Sequence, residues 1–399
     1  MLIMKFGGTS IANASAMRRV INIIKNRLPQ EIIVVVSAIA EATNKLTVAY
    51  NLARAGELDD CKKLIENLVE QHIEIIYELI ERAATRQQLI AAINLYLYEA
   101  LGLTEEIASQ PMALSRQFAQ LVAYGELLSS AVMHSAMEEL EVHNQLVDAR
   151  SVIITDNNCF KATPLEEKIN STGLAIMKQA LNDNSIVLTQ GFIGATEDGI
   201  TTILGREGSD YSASLIGAMV DVDEIQIWTD VDGVMSSDPR KISNTRFIPQ
   251  LSFTEAAELS YFGAKVIHPL TIKPASQKNI PLRILSSLNT DPRQQGTLIC
   301  GTANPDTRAL AFREFFDESY LTGLDLSAMA HGVTVESLSL ICLLGKIPDG
   351  CRELLDKLNI TRIDHSPTKL SSILAVPRDQ LWSIAQQLHD LLIFKRQLW

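Results

Sequence analysis

Short apolar runs rich in β-branched residues alternate with segments of helical periodicity over roughly the first 290 residues, the pattern of an α/β fold on a largely parallel sheet. The runs that read as strands are Leu2 to Phe6, Glu31 to Ser37, Gln145 to Asp148, Ser185 to Thr189, Glu224 to Trp228 and Pro281 to Ser286. From Thr47 to Ser109 the rhythm changes. Stretches such as Leu64 to Ile80 place apolar residues at helical spacing with Glu and Lys between them, so a helical insertion is expected over about residues 47 to 115.

Asn289 to Asp306 is rich in Asn, Thr, Asp, Pro, Gly and Gln, which is turn and linker chemistry, and a domain boundary is expected there. Residues 1–300 then form the larger domain and 301–399 a smaller one. Within the smaller one, Val335 to Leu344, Thr361 to His365 and Ser371 to Val376 read as strands, and Asp349 to Lys357 and Gln380 to Ile393 as helices. That order, βαββα, outlines a ferredoxin-like unit.

Composition narrows the class. Of 399 residues, 47% are hydrophobic and 21% charged, so the chain can build a sizeable core. Lys and Arg number 35 against 47 Asp and Glu, for a net charge of -12, and no basic block has the density that a phosphate backbone favours. Nucleic acid is not expected as a partner. A locally positive pocket for a small anion remains compatible with that charge. The five cysteines, Cys61, Cys159, Cys300, Cys342 and Cys351, are scattered without a C-x-x-C pair, which argues against a zinc site or a disulfide framework and for a reducing cytoplasm. No signal peptide is expected at Met1 to Phe6, which runs straight into Gly7 and Gly8, and no run approaches the roughly 20 residues needed to span a bilayer.

Candidate chemistry gathers at strand ends. Lys5-Phe6-Gly7-Gly8-Thr9-Ser10 joins a strand to the helical pattern Ala14 to Asn26: two glycines allow close backbone approach to an anion, and Lys5 adds positive charge. It lacks the Walker A spacing, and alone it reads equally as a glycine turn with Thr9 or Ser10 as helix cap. A second glycine loop, Gly205-Arg206-Glu207-Gly208-Ser209-Asp210, precedes a small-residue helical stretch, and Arg206 could take a carboxylate bidentately. Its plain alternative is a turn with Asp210 as cap. Ser37 and Thr43 follow a buried strand, at the edge where open α/β sheets bind ligands, although either could be a cap. Glu126 interrupts the apolar stretch Phe118 to Met133 and could hold an ammonium group, or could be a surface Glu. Trp228 to Arg240 follows another strand and could seat a nucleotide, while Phe262 to Pro269 offers Lys265; His268, before Pro269, reads as structural.

Together the segments Lys5 to Ser10, Gly205 to Asp210, Trp228 to Arg240 and Phe262 to Pro269, in that order, resemble the aspartate kinases of the amino-acid-kinase superfamily. The resemblance implies a three-layer αβα sandwich with a C-terminal ACT-type regulatory region, which transfers phosphate from ATP to the side-chain carboxylate of L-aspartate, the first step towards lysine, threonine and methionine. By the same resemblance Lys5 and Asp210 are catalytic, with Lys5, Gly7 and Gly8 at the transferred phosphoryl group and Ser10 nearby. Thr229, Asp230, Met235, Arg240 and Lys265 surround ATP; Ser37, Thr43, Glu126, Arg206 and Ser209 hold aspartate; Mg²⁺ is held through ATP and not by protein ligands. An amino-acid effector at the ACT-like region, a homodimer and a cytoplasmic location are also implied.

Two departures from the family stand out: Met235 replaces a frequent tyrosine, and the tail has room for one ACT unit plus a remnant at Ala309 to Leu326. The rival readings are a glutamate or acetylglutamate kinase, and a catalytically silent amino-acid sensor.

Overall fold

The computed structural model describes residues 1–110, 115–183, 186–264, 267–289, 295–314, 338–346, 349–358, 360–363 and 370–394. The chain divides into two compact units, one of Met1–Asp232 with Leu282–Gln294, the other of Gly233–Pro281 with Gln295–Trp399. Division by packing and division at the linker thus differ over Gly233–Pro281, which groups with the C-terminal part.

The first unit is built on six parallel strands: β1 (Leu2–Phe6), β2 (Ile32–Val36), β3 (Gln145–Val147), β4 (Ile186–Gln190), β7 (Glu224–Thr229) and β9 (Leu282–Ser286), in the order β3-β4-β2-β1-β7-β9. The expected strands are all present within a residue or two, apart from Ser185, which lies outside the described residues. β1, β2 and β4 are buried along their whole length, and a strand covered on both faces must be apolar throughout instead of alternating. A small antiparallel hairpin, β5 (Ile193–Ala195) with β6 (Thr201–Ile203), was not legible because its strands are three residues long.

Strand register assigns the two faces. Met4, Phe6, Ile32, Val34 and Val36 share a core with residues of α1 (Ala14–Lys25), α2 (Ala42–Ala55), α3 (Leu58–Leu79), α4 (Ala83–Ser109) and α5 (Ser115–Glu139). Alternate residues, Lys5 among them, point to the opposite face. That face meets α9 (Gly208–Val220), which packs on β1, β7 and β2; the short helices α6 (Ala149–Val152) and α7 (Glu166–Lys168) and the helix α8 (Leu174–Asp183) precede it in the chain. The result is the αβα layering expected. The helical insertion is real and starts earlier than the periodicity suggested, with α2 at Ala42. In α3, Cys61, Ile65, Leu68, Val69, His72, Ile75, Ile76 and Leu79 form the buried stripe.

The second unit holds a parallel pair, β8 (Gln250–Ser252) with β10 (Thr297–Cys300), and the helices α10 (Phe253–Tyr261) and α11 (Pro269–Lys278). Ser252 and Glu255 form a reciprocal capping box at the start of α10. His268 caps α11, its Nδ1 accepting from the Leu270 N–H at 3.2 Å, the structural role expected of it. A four-stranded antiparallel sheet follows, in the order β11-β12-β14-β13: β11 (Ala309–Arg313), β12 (Leu338–Leu344), β13 (Thr361–Ile363) and β14 (Ser371–Pro377), with α12 (Asp349–Lys357) and α13 (Leu381–Phe394). The βαββα order is as read. One point differs: Ala309–Arg313 is not part of a separate remnant but an integral strand of this sheet, paired along β12 from Ala309 with Leu344 to Arg313 with Leu340. Residues 315–326 of the expected remnant, Val335 to Ser337 and Asp364 to His365 lie outside the described residues.

Candidate active site

The carboxyl ends of β1, β2, β4 and β7 lie side by side, since Phe6 pairs with Val36 and Trp228 and Val36 with Gln190. At the end of β1, Gly7 donates its N–H to Trp228 O at 3.2 Å, and residues Gly8–Ile11 form one turn of 3-10 helix. Neither Thr9 nor Ser10 caps the following helix; Asn13 does, accepting from the Ala16 N–H. Ser10 instead is buried and shares a 2.7 Å hydrogen bond with Ser287, whose N–H donates to Thr229 O. The first glycine loop is thereby tied to the end of β7.

Gly8 is required by close approach. A Cβ there would lie 2.7 Å from Ala38 O, while Gly8 O accepts from the Ala40 N–H at 3.1 Å. Segment Ser37–Ala40 thus lies directly against the glycine loop. On its other side comes Glu126: Gly125 lets α5 approach to where a Cβ would sit 2.9 Å from that of Ala38, and the Ala38 N–H donates to Glu126 Oε1 at 3.2 Å. Ser37 O accepts from Ser129 Oγ at 2.7 Å. Thr43 stands half-buried in the first turn of α2. The surface reading of Glu126 is excluded, since it is only 2% exposed. Its Oε2 has no partner, and burial pushes its carboxyl up to about 8, opposed only by backbone hydrogen bonds. A buried carboxyl with one oxygen unpaired is poised to accept a cation.

The second glycine loop arrives from the other face. Gly205 and Glu207 take left-handed backbone conformations that turn the chain into α9, and Glu207, not Asp210, occupies the cap position. Asp210 instead projects from the first turn of α9 to the end of β1, where its Oδ1 stands 2.5 Å from Lys5 Nζ, both side chains largely buried. The contact is an ion pair and not an aligned hydrogen bond. Ser209 is buried against Gly191, where a Cβ would lie 2.6 Å from Ser209 Cβ; Gly191 in turn donates its N–H to Val36 O at 2.8 Å. Gly191 and Ser287 are positioning residues the sequence did not single out. A glycine directly after a strand was the available signal for the first; nothing local marks the second. Arg206 is exposed, its Nε 3.9 Å from Glu207 Oε1.

The first unit thus gathers Lys5, Gly7, Gly8, Ser10, Ser37, Thr43, Glu126, Ser209 and Asp210 around adjoining strand ends, with Arg206 on the loop just before. Thr229 closes β7 and hydrogen-bonds Asp230 at 3.1 Å. Met235 and Arg240 belong to the second unit, where Met235 bridges to Phe247 and Arg240 makes a two-point contact with Asp238 at 2.7 and 2.9 Å. The hydrogen bond to Asp238 raises the exposed arginine above its ordinary range. Lys265 lies outside the described residues. Among the described residues no group of three or more His, Cys, Asp or Glu is arranged to hold a metal ion, and no helix is long and apolar enough to cross a membrane.

A parallel sheet covered on both faces, with glycine loops and a lysine–aspartate pair at its carboxyl edge, fits the match of residues 1–286 to the amino acid kinase family, and the chain belongs to that family. The lysine-sensitive aspartokinase 3 of Escherichia coli is 36% identical over 320 residues, 78% of this chain and 67% of that protein. An aspartokinase of Chlamydia trachomatis is 36% identical over 311 residues, 77% of this chain and 66% of the other. Among amino acid kinases, the chain's place is with the aspartokinases. The crystal structure of E. coli aspartokinase III with aspartate and ADP superposes with a TM-score of 0.80 at 28% identity, covering 99% of this chain and all of the other. The chain spans about two thirds of the length of the E. coli and Chlamydia relatives, and 36% of a bifunctional aspartokinase/homoserine dehydrogenase of Buchnera aphidicola to which it is 34% identical.

Proposed function

We propose that this chain phosphorylates the side-chain carboxylate of L-aspartate with ATP, giving 4-phospho-L-aspartate and ADP at the head of lysine, threonine and methionine synthesis. The observation that carries the reading is the meeting of Lys5 with Asp210 beside a glycine loop, with a buried, half-unpaired Glu126 across the Ser37–Ala40 segment that packs on that loop. A carboxylate acceptor with an ordinary pKa near 3.9 is already ionised, so no general base is required. What the transfer requires is alignment and neutralisation of charge on the γ-phosphoryl group.

Lys5 supplies that charge, and Asp210 holds its ammonium at the strand tip until the phosphate shares it. Gly7 and Gly8 let the main chain approach the phosphate closely, with Ser10 fixing the turn. Glu126 takes the substrate ammonium: its proton leaves when the cation arrives, and the resulting ion pair occupies the unpaired Oε2. Arg206 takes a carboxylate of aspartate, with Ser37, Thr43 and Ser209 lining the site. Thr229, Asp230, Met235, Arg240 and Lys265 are assigned to ATP. Mg²⁺ would arrive on the triphosphate and supply neutralisation of its charge.

The five free cysteines agree with a cytoplasmic location. Residues 1–300 are assigned to catalysis and 301–399 to regulation. A crystal structure of E. coli aspartokinase III is of its complex with lysine and aspartate, which supports an amino-acid effector for this chain, assigned here to the ACT-like sheet; a homodimer is proposed by resemblance to the family. Hydroxamate trapping tests the reaction. An acyl hydroxamate formed with aspartate and ATP, and not with glutamate or N-acetylglutamate, is the expected result; nucleotide binding without any trapped product would favour a silent sensor.

A further inference from the structure

Within the second unit, the segment Gly233 to Ser243, which carries Met235 and Arg240, is held by the C-terminal helix α13 through side chains that are far away in sequence. Ser236 is the node. Its N–H donates to Arg246 O at 2.7 Å, its carbonyl accepts from Leu310 of β11 at 2.7 Å, its Oγ accepts from the Arg246 N–H at 2.8 Å, and the same Oγ shares a 2.8 Å hydrogen bond with Nε2 of His389 on α13. Farther along, Gln386 Oε1 accepts from both N–H and Oγ of Ser243 at 2.9 and 3.0 Å, and Lys241 Nζ stands 4.8 Å from the centre of the Trp382 ring. Ile242 is buried in one apolar cluster with Leu310, Ile384 and Leu388.

His389 is the informative residue. It is fully buried, beside the apolar face of α13 formed by Leu381, Ile384, Ala385, Leu388 and Leu392. An aliphatic side chain would fill such a position without the desolvation that an imidazole suffers, and a buried polar group is tolerated only where it is hydrogen-bonded. Its hydrogen-bond partner here, Ser236, also helps fix the main chain next to Met235. The ring therefore sets loop shape in a way that packing, which has no direction, does not.

We propose that His389 is a positioning residue for the nucleotide: through Ser236 it holds the Gly233–Ser243 segment in the conformation that receives ATP, with Gln386 as a second, weaker tether. This rests on the assignment of Met235 and Arg240 to ATP. The consequence is that the C-terminal helix contributes to nucleotide affinity even with no effector bound, and that effector binding to the ACT-like sheet has a direct mechanical route to that segment.

The test uses the full chain, with calorimetric titration of Mg-ADP and separate KM values for ATP and aspartate. His389→Leu is expected to weaken ADP binding and raise the ATP KM by about tenfold, the scale of one lost buried hydrogen bond with its partner left unpaired, with the aspartate KM little changed. His389→Gln, which can place a nitrogen near the Nε2 position, is expected to recover most of that loss. Gln386→Ala should shift ADP affinity in the same direction by a smaller factor. Wild-type ADP affinity in a folded His389→Leu protein, or an equal rise in both KM values, overturns the proposal. Should His389→Leu fail to fold, Ser236→Ala decides: unchanged ADP affinity there also overturns it. A wild-type chain that binds no ADP would remove the nucleotide assignment itself, which is a different failure from a wild type that binds while the variants bind equally well.

Discussion

Lys5 and Asp210 meet as an ion pair, Nζ 2.5 Å from Oδ1, although one is the penultimate residue of the first strand and the other lies in the first turn of α9. The pair faces the side of the sheet opposite the helical insertion, and it stands beside the loops that leave β1 and β2. A mobile lysine is thereby fixed at the strand tip before any phosphate is bound.

Replacing Lys5 by Ala is expected to lower kcat by about 100-fold or more, the scale of losing one preorganised charge stabiliser, with smaller changes in either KM. Steady-state kinetics of the purified variant check this, and unchanged turnover would remove Lys5 from the chemistry. Asp210→Asn should follow in the same direction with a smaller loss, since Lys5 remains but is no longer held.

Arg206→Ala is expected to raise the aspartate KM with less effect on that for ATP. Arg206 is exposed and, among the described residues, makes a single long contact with Glu207, so its removal should leave the melting temperature close to wild type. An equal loss for both substrates would contradict its assignment to aspartate.

Glu126 makes stability depend on pH with a definite sign. Its folded carboxyl titrates at about 8, above the ordinary value of 4.5. Between those values the native state keeps a proton that the unfolded chain releases, so this contribution is full below the lower value and is lost as pH rises towards 8. The slope should approach about 1.4 kcal/mol per pH unit within that window. Denaturant titrations from pH 5 to 8.5 should show the decline in the wild type and its loss in Glu126→Gln. At pH 7, aspartate binding should also release a proton, visible as a buffer-dependent enthalpy in calorimetry.

Gly8→Ala should both destabilise the protein and impair phosphate transfer. The new methyl would meet Ala38 O at 2.7 Å, so the loops after β1 and β2 must separate, at a cost of about 1–3 kcal/mol for such overpacking. The melting temperature and kcat measured on the same preparation check the two effects; a variant with both at wild-type values would show that the loops yield freely.

The sequence by itself determined the alternation of buried strands and helices, the βαββα tail and the two glycine loops, because burial on both faces and helical periodicity are written locally in apolar spacing. Lys5 and Arg206 stood out as candidate cations through their place in those loops, and Asp210 entered as chemistry only through the family resemblance. Cap positions were less legible: Asn13 and Glu207 took the roles open to Ser10 and Asp210, because a cap is fixed by backbone dihedrals, which Ser, Asn, Asp and even Glu can satisfy at neighbouring positions. Only the tertiary structure decided that Glu126 is buried with an unpaired oxygen, that Gly191 brings Ser209 against β4, and that Ala309–Arg313 completes the C-terminal sheet instead of standing apart. Each of these depends on which strand lies beside which and how closely helices approach. Such long-range pairing is settled by packing of the whole chain, and no window of neighbouring residues contains it.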